Sequence, residues 1–302
     1  MKLDEHIPNA DEKLKSLIIS LADTTKMISE GFMGRRGKSD TENIYGEKQA
    51  EMDKWADEVL IDELKKLPQV ASVSSEERPE VIKVNEGGEF SVTMDPLDGS
   101  SLLDVNLSVG TIIGIFRNKD PFLPGREMVG AMYSIYGPLT TMTYTVGLGV
   151  HEFILGKDGQ FRMSREDIKI PRGKIYSPGG YRREWLINHL RYMEKLEEKG
   201  YKLRFSGCFA SDVHQILHKG GVFSYPALKE RPKGKLRLLF EGMPLGVIIK
   251  NAGGKISDGK MDLLEIEPEE LGQRVPIYVG GEKEIEMIEK LNAGDDEEVL
   301  KD

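Results

Sequence analysis

Two stretches near the start of the chain carry hydrophobic residues every three or four positions. In the first, the apolar positions follow Asp11 and Glu12, which suit the first turn of a helix, and they end near Gly31. This pattern predicts an amphipathic helix over residues 11–31, and the second stretch predicts another helix that ends before Pro68. The apolar positions are Leu14, Leu17, Ile18, Leu21 and Ile28 in the first stretch, and Met52, Trp55, Ala56, Val59, Leu60 and Leu67 in the second.

The segment between these two helices, GFMGRRGKSDTENIYG, is rich in glycine and charged residues and has no periodicity. Such a length is unusual for a passive connector inside a compact domain. We therefore expect residues 31–46 to form a mobile functional loop.

After the second helix the pattern becomes typical of β-strands. Hydrophobic and polar residues alternate from Phe90 to Met94 and end at Asp95, and an apolar run with two glycines covers residues 109–116. The segments HEFIL and QFRM flank GKDG, which predicts a hairpin whose turn contains Asp158. Strands therefore dominate the middle of the chain.

Helical spacing returns after Tyr181. A stripe from Trp185 to Leu196 predicts a helix that ends at Gly200, a suitable left-handed terminating residue. Further helices are predicted at residues 211–218, 244–252 and 283–292. Because helices and strands are interspersed, we expect a layered mixture of the two and neither a helix bundle nor a β-sandwich.

The Pro/Gly/Lys-rich segment IKIPRGKIYSPGGY is the best candidate for a domain boundary. It predicts two domains, residues 1–172 and residues 173–302. The chain of 302 residues is long enough for two domains of ordinary size.

Composition and charge narrow the class of protein. No run approaches the roughly 18 apolar residues that span a bilayer, so we expect no membrane insertion. The net charge of −9 argues against nonspecific nucleic-acid binding. The N-terminus is acidic and unlike a secretory or import signal, which predicts a cytoplasmic protein. Cys208 is the only cysteine, so no intrachain disulfide can form, and we expect it to be a small buried packing residue.

The string DPLDGSS carries the strongest chemical signal, at the point where a predicted strand runs into a loop. Asp95 and Asp98, with the carbonyl of Leu97 between them, can present hard oxygen ligands to metal ions. The alternative is a turn in which the two aspartates cap backbone groups. The three residues that follow can offer backbone N–H groups and hydroxyls to a phosphate: Gly99, Ser100 and Ser101.

Adjacent glutamates, Glu76 and Glu77, end a short β-prone segment, VSSEE. On their own they would be read as a solvated loop. If they lie beside Asp95 and Asp98, the four carboxylates repel one another, and metal ions would remove that conflict.

The segment KGKLRLLFEGMP alternates as a strand does, which would place Lys235, Arg237, Leu239 and Glu241 on one face. One interpretation is an ion pair with nothing bound. The other is that the cluster of Lys233, Lys235 and Arg237 forms the anion-binding part of a site.

Two histidines, His214 and His218, have i, i+4 spacing on a predicted helix, which can suit a metal ion. The sequence shows no carboxylate or cysteine pattern of a zinc site beside them. We therefore predict structural roles for both.

Several motifs, taken in order, resemble the class I fructose-1,6-bisphosphatases over nearly the whole chain. DPLDGSS followed by LSVGTIIGIF, with VSSEE upstream and KGKLRLLFE downstream, carries the resemblance, and FASDVHQIL, GGVFSYPA and QRVPIYVG agree with it. The resemblance implies an α+β fold, the layered αβαβα sugar-phosphatase fold with two mixed sheets sandwiched by helices. It also implies a hydrolase of gluconeogenesis that removes the 1-phosphate of fructose 1,6-bisphosphate.

The resemblance further implies which residues surround the metal and activate water. The implied cofactor is Mg²⁺, as two or three ions, with Mn²⁺ as an alternative. Asp53 and Glu77 match positions implicated in activating the attacking water. Glu47 stands where the family usually has Asp, so a carboxylate is kept with a longer reach. The positions that match metal ligands are Glu76, Glu77, Asp95, the Leu97 carbonyl, Asp98 and Glu241.

For the non-reacting phosphate the resemblance selects Tyr181, Arg204, Tyr225 and Lys235, with Arg204 reaching from a neighbouring subunit of a homotetramer or a dimer of dimers. Phe205 stands where the family usually has Tyr, and PGGY replaces the family's NEGY segment. We therefore expect phosphate recognition that is weaker or differently shaped.

The family's AMP-inhibition site is matched only in part. Arg117 matches, but Glu89 and Phe90 stand where a Lys–Tyr pair is common. Because an acid in place of a cation repels a nucleotide phosphate, we predict weak or absent AMP inhibition.

Three alternatives stay open at this point. A sedoheptulose-1,7-bisphosphatase, or a bisphosphatase of dual specificity, uses similar chemistry. An inositol-monophosphatase-like enzyme shares the DPLDG motif but needs neither KGKLRLLFE nor the tyrosine positions. A non-catalytic sugar-phosphate-binding protein would be free to lose some metal carboxylates, whereas every expected one is present.

Overall fold

The computed structural model describes residues 1–7, 11–32, 38–42 and 48–295, and only the backbone of 38–42 and 48–50. These residues contain seven α-helices: α1 Leu3–His6, α2 Glu12–Gly31, α3 Glu51–Lys65, α4 Ile187–Glu198, α5 Phe209–Lys219, α6 Met243–Asn251 and α7 Glu282–Ala293. Within the described ranges, no helix is both long and apolar enough to cross a membrane.

The strands form one large sheet, one smaller sheet and a separate pair. The pair is β1 Lys38–Glu42 with β2 Lys48–Ala50. The large sheet contains β3 Val70–Ser75, β4 Ile82–Lys83, β5 Phe90–Asp98, β6 Val109–Phe116, β7 Met128–Tyr136, β8 Thr140–Thr145, β9 His151–Leu155 and β10 Phe161–Arg165. The smaller sheet contains β11 Ile175–Pro178, β12 Lys202–Leu203, β13 Val222–Tyr225, β14 Lys255–Ser257 and β15 Ile277–Gly280.

Both larger sheets mix parallel and antiparallel pairs. The eight-stranded sheet runs β10-β9-β8-β7-β6-β5-β3-β4, and β3 with β5 is its parallel pair. The five-stranded sheet runs β12-β11-β13-β15-β14, with β11 parallel to both β12 and β13. Its β15 pairs antiparallel with β13 and β14.

Hydrophobic residues divide into three clusters that define five layers. One cluster lies between α2, α3 and the outer face of the large sheet. A second lies between the two sheets and includes α5 and α6, and a third joins the small sheet to α4 and α7. The sequence of strand β6 is almost entirely apolar because both of its faces are buried. Ile112 packs in the second cluster and Ile113 in the first. The expected αβαβα arrangement with two mixed sheets is confirmed.

Most of the predicted elements are present near their predicted bounds. Helix α2 is capped by Asp11, whose Oδ1 accepts a hydrogen bond of 2.8 Å from the Leu14 N–H. The predicted hairpin pairs β9 with β10 in antiparallel fashion. Gly200, just beyond α4, has the expected left-handed φ of +79°. The boundary between residues 172 and 173 stays a prediction.

The predicted loop over residues 31–46 lies partly outside the described residues. The backbone that is described there includes β1, which pairs with β2 after the second gap. The loop's mobility and its functional role stay predictions.

The strand predicted across KGKLRLLFE is wrong. Arg237 makes one isolated bridge to Arg274, and Leu238–Gly242 then forms a π-helical turn that continues into α6. Leu238, Leu239 and Phe240 are all fully buried, so the apparent alternation did not separate a buried face from an exposed one.

Candidate metal and phosphate site

Three buried carboxylates from two distant segments meet beside the end of β5. Asp95 and Asp98 lie at the end of that strand, and Glu241 lies in the π-helical turn before α6. One carboxylate oxygen from each of the three lies within 4.8 Å of the other two. We call Asp95, Asp98 and Glu241 the carboxylate cluster.

A bulge in β5 explains how two aspartates three residues apart can act together. In a regular strand they would point to opposite faces of the sheet. Asp95 pairs with Ile112 and Asp98 with Gly110, so β5 contains one residue more than β6 between these pairs. The extra residue restores the two side chains to the same face.

Burial and mutual repulsion dominate the electrostatics of the cluster. Burial raises the pKa of Asp95 well above its usual range, and the charges of Glu76, Asp98 and Glu241 add to the effect. Burial followed by the charge of Glu76 likewise raises the pKa of Glu241 well above its usual range. Carboxylate oxygens are the ligands that Mg²⁺ and other hard divalent cations prefer. The donor set therefore fits such an ion, which would relieve the repulsion.

Arg237 contacts two glutamates, Glu241 of the carboxylate cluster and Glu76. Its backbone N–H donates a hydrogen bond of 2.6 Å to Glu241 Oε2, and its guanidinium forms an ion pair with Glu76. Both side chains of the ion pair are buried. The sequence left open an ion pair or an anion-binding role for Arg237; the ion pair is present, with Glu76 as the acid, and the anion-binding role stays a prediction.

Asp98 lies against the N-terminus of α5. Its Oδ2 accepts hydrogen bonds from the Ala210 N–H at 2.5 Å and from the Cys208 thiol at 3.2 Å. Burial raises the pKa of Asp98, and these hydrogen bonds and the charge of Lys235 oppose that increase. Cys208 is buried as predicted, but its contact with Asp98 is a feature that the sequence did not reveal.

Gly99 is required by both conformation and space. Its φ of +78° lies in the left-handed region, and a Cβ at this position would lie 2.8 Å from the Cβ of Cys208. The residues Ser100–Val105 then form a short 3₁₀ helix. Ser100 and Ser101 lie at its start, where backbone N–H groups have no partner inside the helix.

The two residues expected to activate water interact electrostatically. Asp53 lies in the first turn of α3 and is buried, whereas Glu77 follows β3 and is partly exposed. Burial, then the charges of Glu77 and Glu76, raises the pKa of Asp53 well above its usual range, while a hydrogen bond from Ser100 opposes this. The roles of Asp53 and Glu77 in catalysis stay predictions, and Glu47 lies outside the described residues.

A buried aspartate, Asp57, holds the segment that contains Glu76 and Glu77, and this role was not predicted from the sequence. Asp57 accepts a hydrogen bond of 2.6 Å from the Ser75 hydroxyl at Oδ1 and one of 2.6 Å from Arg78 Nε at Oδ2. Ser75 and Arg78 flank Glu76 and Glu77, so Asp57 fixes that segment against α3. Its i, i+4 spacing from Asp53 was the available signal.

Comparisons with known proteins agree with this geometry. A family model described as the N-terminal domain of fructose-1-6-bisphosphatase matches residues 1–166, and one described as the C-terminal domain matches residues 170–293. The chain belongs to the fructose-1,6-bisphosphatase family.

Named relatives of this family cover most of the chain. The "Fructose-1,6-bisphosphatase class 1" of Pelobacter propionicus is 47% identical over 90% of this chain and 86% of the relative. That of Methanocorpusculum labreanum is 42% identical over 94% of this chain and 88% of the relative. The crystal structure of Leishmania major fructose-1,6-bisphosphatase in holo form has a TM-score of 0.91 and 29% identity, and the match covers 97% of this chain and 99% of that chain.

The structure brings together two of the four residues that the family resemblance selects for phosphate binding. The Lys235 ammonium lies 5.8 Å from the centre of the Tyr225 ring. The first glycine of the PGGY segment allows this ring to approach, because a Cβ on Gly179 would lie 2.2 Å from Tyr225 Cδ2. The charge of Lys235 also opposes the rise in the pKa of Asp98, so the same cation interacts with Tyr225 and with the carboxylate cluster.

The other two phosphate-binding candidates lie on the surface of the chain. The side chain of Tyr181 is 68% exposed and lies beside the Arg183 guanidinium. Arg204 is exposed, and its Nη1 donates a hydrogen bond of 2.9 Å to the Leu203 carbonyl. Their roles, and the ligand role of the buried Leu97 carbonyl, stay predictions.

Arg117, the residue that matches the family's AMP site, is paired with two acids. Its guanidinium contacts Asp11 and, at 2.9 Å, Glu89 Oε2, and it lies 4.8 Å from the centre of the Phe90 ring. Arg117 and Asp11 line a cavity of about 320 Å³. A nucleotide phosphate that binds Arg117 would have to displace these acids. Weak or absent AMP inhibition stays a prediction.

The structure places a carboxylate beside the two histidines, and the structural roles expected for them stay a prediction. His214 and His218 lie on α5 as predicted, but a carboxylate does accompany them, because Glu152 of β9 reaches both side chains. Glu152 lies far away in sequence, so no local motif could reveal the contact.

Proposed function

We propose that this chain is a phosphoric monoester hydrolase that converts fructose 1,6-bisphosphate to fructose 6-phosphate and inorganic phosphate with the aid of Mg²⁺. The observation that carries the proposal is the buried carboxylate cluster next to Lys235, within a chain of this family. The class 1 relatives bear the name of this activity. The reaction places the enzyme in gluconeogenesis, and we propose the cytoplasm as its compartment.

The carboxylate cluster would hold the metal, together with Glu76, Glu77 and the carbonyl of Leu97. A bound Mg²⁺ polarises phosphoryl oxygens, lowers the pKa of bound water and neutralises charge on the leaving oxygen. We propose two or three ions, for which Mn²⁺ can substitute. The N–H of Ala210 and the thiol of Cys208 orient Asp98, and Arg237 orients Glu241.

The chain's own residues would then position the reactants. Asp53, paired with Glu77, removes the proton of the attacking water as a general base. Backbone N–H groups and hydroxyls of Gly99, Ser100 and Ser101 bind the oxygens of the scissile phosphate. Because these groups lie on one bulged strand end and the helical turn after it, they are preorganised for charge that develops during the reaction.

The distant phosphate of the sugar would bind at Tyr225 and Lys235, with Tyr181 as a third ligand. Tyrosine hydroxyls and ammonium groups are effective donors to phosphate oxygens. Arg204 would reach this phosphate from a neighbouring subunit of a homotetramer, which its exposed position on the present chain supports. Arg237 would contribute positive charge from its pair with Glu76.

The experiment is phosphate release from fructose 1,6-bisphosphate with and without Mg²⁺, compared with sedoheptulose 1,7-bisphosphate and inositol monophosphate under the same conditions. We expect metal-dependent turnover that favours the fructose ester. Preference for the sedoheptulose ester or for inositol monophosphate would replace the proposed substrate. Absence of turnover on all three would favour a non-catalytic sugar-phosphate-binding protein.

A further inference from the structure

A second cluster of metal-binding side chains lies apart from the carboxylate cluster. His214 and His218 lie one turn apart on α5, with ring centres 4.5 Å from each other, and both face Glu152 on β9. The Glu152 Oε2 atom lies 2.7 Å from His218 Nε2 and 3.7 Å from His214 Nε2. One donor atom from each of the three lies within 4.8 Å of the others.

Neighbouring groups hold two of these side chains in position. Tyr133 Oη lies 2.9 Å from Nδ1 of His214, which leaves Nε2 directed at Glu152. The Ser164 hydroxyl donates to Glu152 Oε1, so Oε2 faces the histidines. Ligating histidines in metal sites commonly have their second ring nitrogen held in this way.

We propose that Glu152, His214 and His218 form a second metal site, which binds Zn²⁺ or a similar first-row transition ion. Two imidazole nitrogens and one carboxylate are a typical three-ligand set for zinc, whereas the all-carboxylate cluster suits Mg²⁺. The two sites therefore differ in ligand chemistry.

The two separations between Glu152 and the histidines are close to those expected around a bound ion. A tetrahedral zinc with bonds of about 2.0–2.1 Å to nitrogen has ligand atoms about 3.3 Å apart. The observed separations of 2.7 and 3.7 Å lie on either side of this value. The His214 side chain is 25% exposed and that of His218 is 12% exposed, so solvent can supply a water as fourth ligand.

Two local competitors must give way when the ion binds. A proton on His218 Nε2, which the hydrogen bond to Glu152 uses, has to leave that nitrogen, and the neutral ring can carry it on Nδ1. Arg165 Nε lies 3.9 Å from Glu152 Oε1, but the arginine side chain is 62% exposed and is free to turn outward. Neither competitor is locked in place.

The ion would join two layers of the fold. Glu152 belongs to the large sheet and the histidines to α5, whose N-terminus holds Asp98. Occupancy would therefore fix the position of α5 against the sheet, and we expect zinc to raise the melting temperature of the full chain.

The test uses full-length protein stripped of metal with a chelator and then kept in excess Mg²⁺, which fills the carboxylate cluster. Titration with Zn²⁺, followed by calorimetry, should show one equivalent bound. His214→Gln and His218→Gln should each weaken this binding about a hundredfold or more. Tyr133→Phe keeps the ring but removes the partner of His214 Nδ1, and it should weaken binding about tenfold. Lys219→Gln, an exposed change on the same helix, should leave it unchanged.

A second measurement keeps the proposal testable if a variant fails to fold. X-ray absorption of the zinc-loaded wild-type protein in excess Mg²⁺ should show imidazole nitrogens at about 2.0 Å from the ion. A shell of oxygen atoms only, no zinc bound under these conditions, or equal binding by folded histidine variants would each overturn the proposal.

Discussion

Gly99 joins the aspartates of the carboxylate cluster to the turn proposed to bind phosphate. The variant Gly99→Ala tests why this position is a glycine. An alanine would have to keep a φ near +78°, which costs about 1–2 kcal/mol for an L-residue. Its Cβ would also meet the Cys208 Cβ at 2.8 Å, and overpacking of this kind costs about 1–3 kcal/mol. We therefore expect the free energy of unfolding to fall by about 2–5 kcal/mol.

A matched control separates the two causes. Gly253 ends α6 with a φ of +81°, but a Cβ there has nothing within 4 Å. Gly253→Ala should therefore cost only the conformational part, about 1–2 kcal/mol. In a double-mutant cycle, Cys208→Gly removes the clashing atom and should recover the overpacking part of the Gly99→Ala effect but not the part due to φ.

The assay is equilibrium urea denaturation of the four variants beside wild type, with phosphate release measured on the same preparations. Because a Cβ on Gly99 would push against the residue that holds Asp98, kcat should fall in Gly99→Ala and stay near the wild-type value in Gly253→Ala. Equal stability losses for the two alanine variants, with no coupling between Gly99 and Cys208, would refute the packing argument.

Three further changes test other parts of the structure. Asp57→Ala leaves the Ser75 hydroxyl and the Arg78 guanidinium without their shared acceptor. Urea denaturation should therefore show a free energy of unfolding that is lower by about 1–3 kcal/mol, and phosphate release should show a lower kcat. Wild-type values for both would contradict the supporting role of Asp57. Burial raises the pKa of Asp212 to about 6, so as pH rises the unfolded chain loses this proton first and the native state loses stability until the pH passes 6. The stability of Asp212→Asn relative to wild type should therefore grow by up to about 3 kcal/mol between about pH 4 and 7, and a constant difference would contradict the shift. Lys235→Met should raise KM for fructose 1,6-bisphosphate about tenfold or more with a smaller change in kcat, whereas an unchanged KM would contradict a role of Lys235 in the proposed phosphate site.

Local patterns predicted much of the fold because burial is periodic in most of its elements. The α2 helix and the β9–β10 hairpin followed from spacing and turn residues alone. The π-helical turn that carries Glu241 did not, since every position from Leu238 to Phe240 is buried and a period cannot be read where no residue is exposed. Tertiary packing decides the conformation of such a segment.

The sequence likewise predicted only a part of the candidate site. DPLDGSS could be recognised as a candidate metal-binding string, but the bulge that turns Asp95 and Asp98 to one face depends on pairing with β6. The contact of Cys208 with Asp98 joins residues 110 positions apart, and that of His218 with Glu152 joins residues 66 positions apart. Contacts of this range depend on how the sheet and α5 pack, which no short motif encodes.

The variant Asp98→Asn tests whether the carboxylate cluster carries metal-dependent hydrolysis of fructose 1,6-bisphosphate, as we propose. The amide keeps an oxygen that can accept the hydrogen bond from the Ala210 N–H but removes the negative charge. Phosphate release should be measured for wild type and Asp98→Asn across a Mg²⁺ titration, with circular dichroism as the check on folding. We predict a folded variant whose kcat at saturating Mg²⁺ is lower than that of wild type by a factor of about a hundred or more. A folded Asp98→Asn protein with wild-type kcat and the same Mg²⁺ dependence would show that the charge of Asp98 is not needed for the reaction and would contradict the proposed role of the carboxylate cluster.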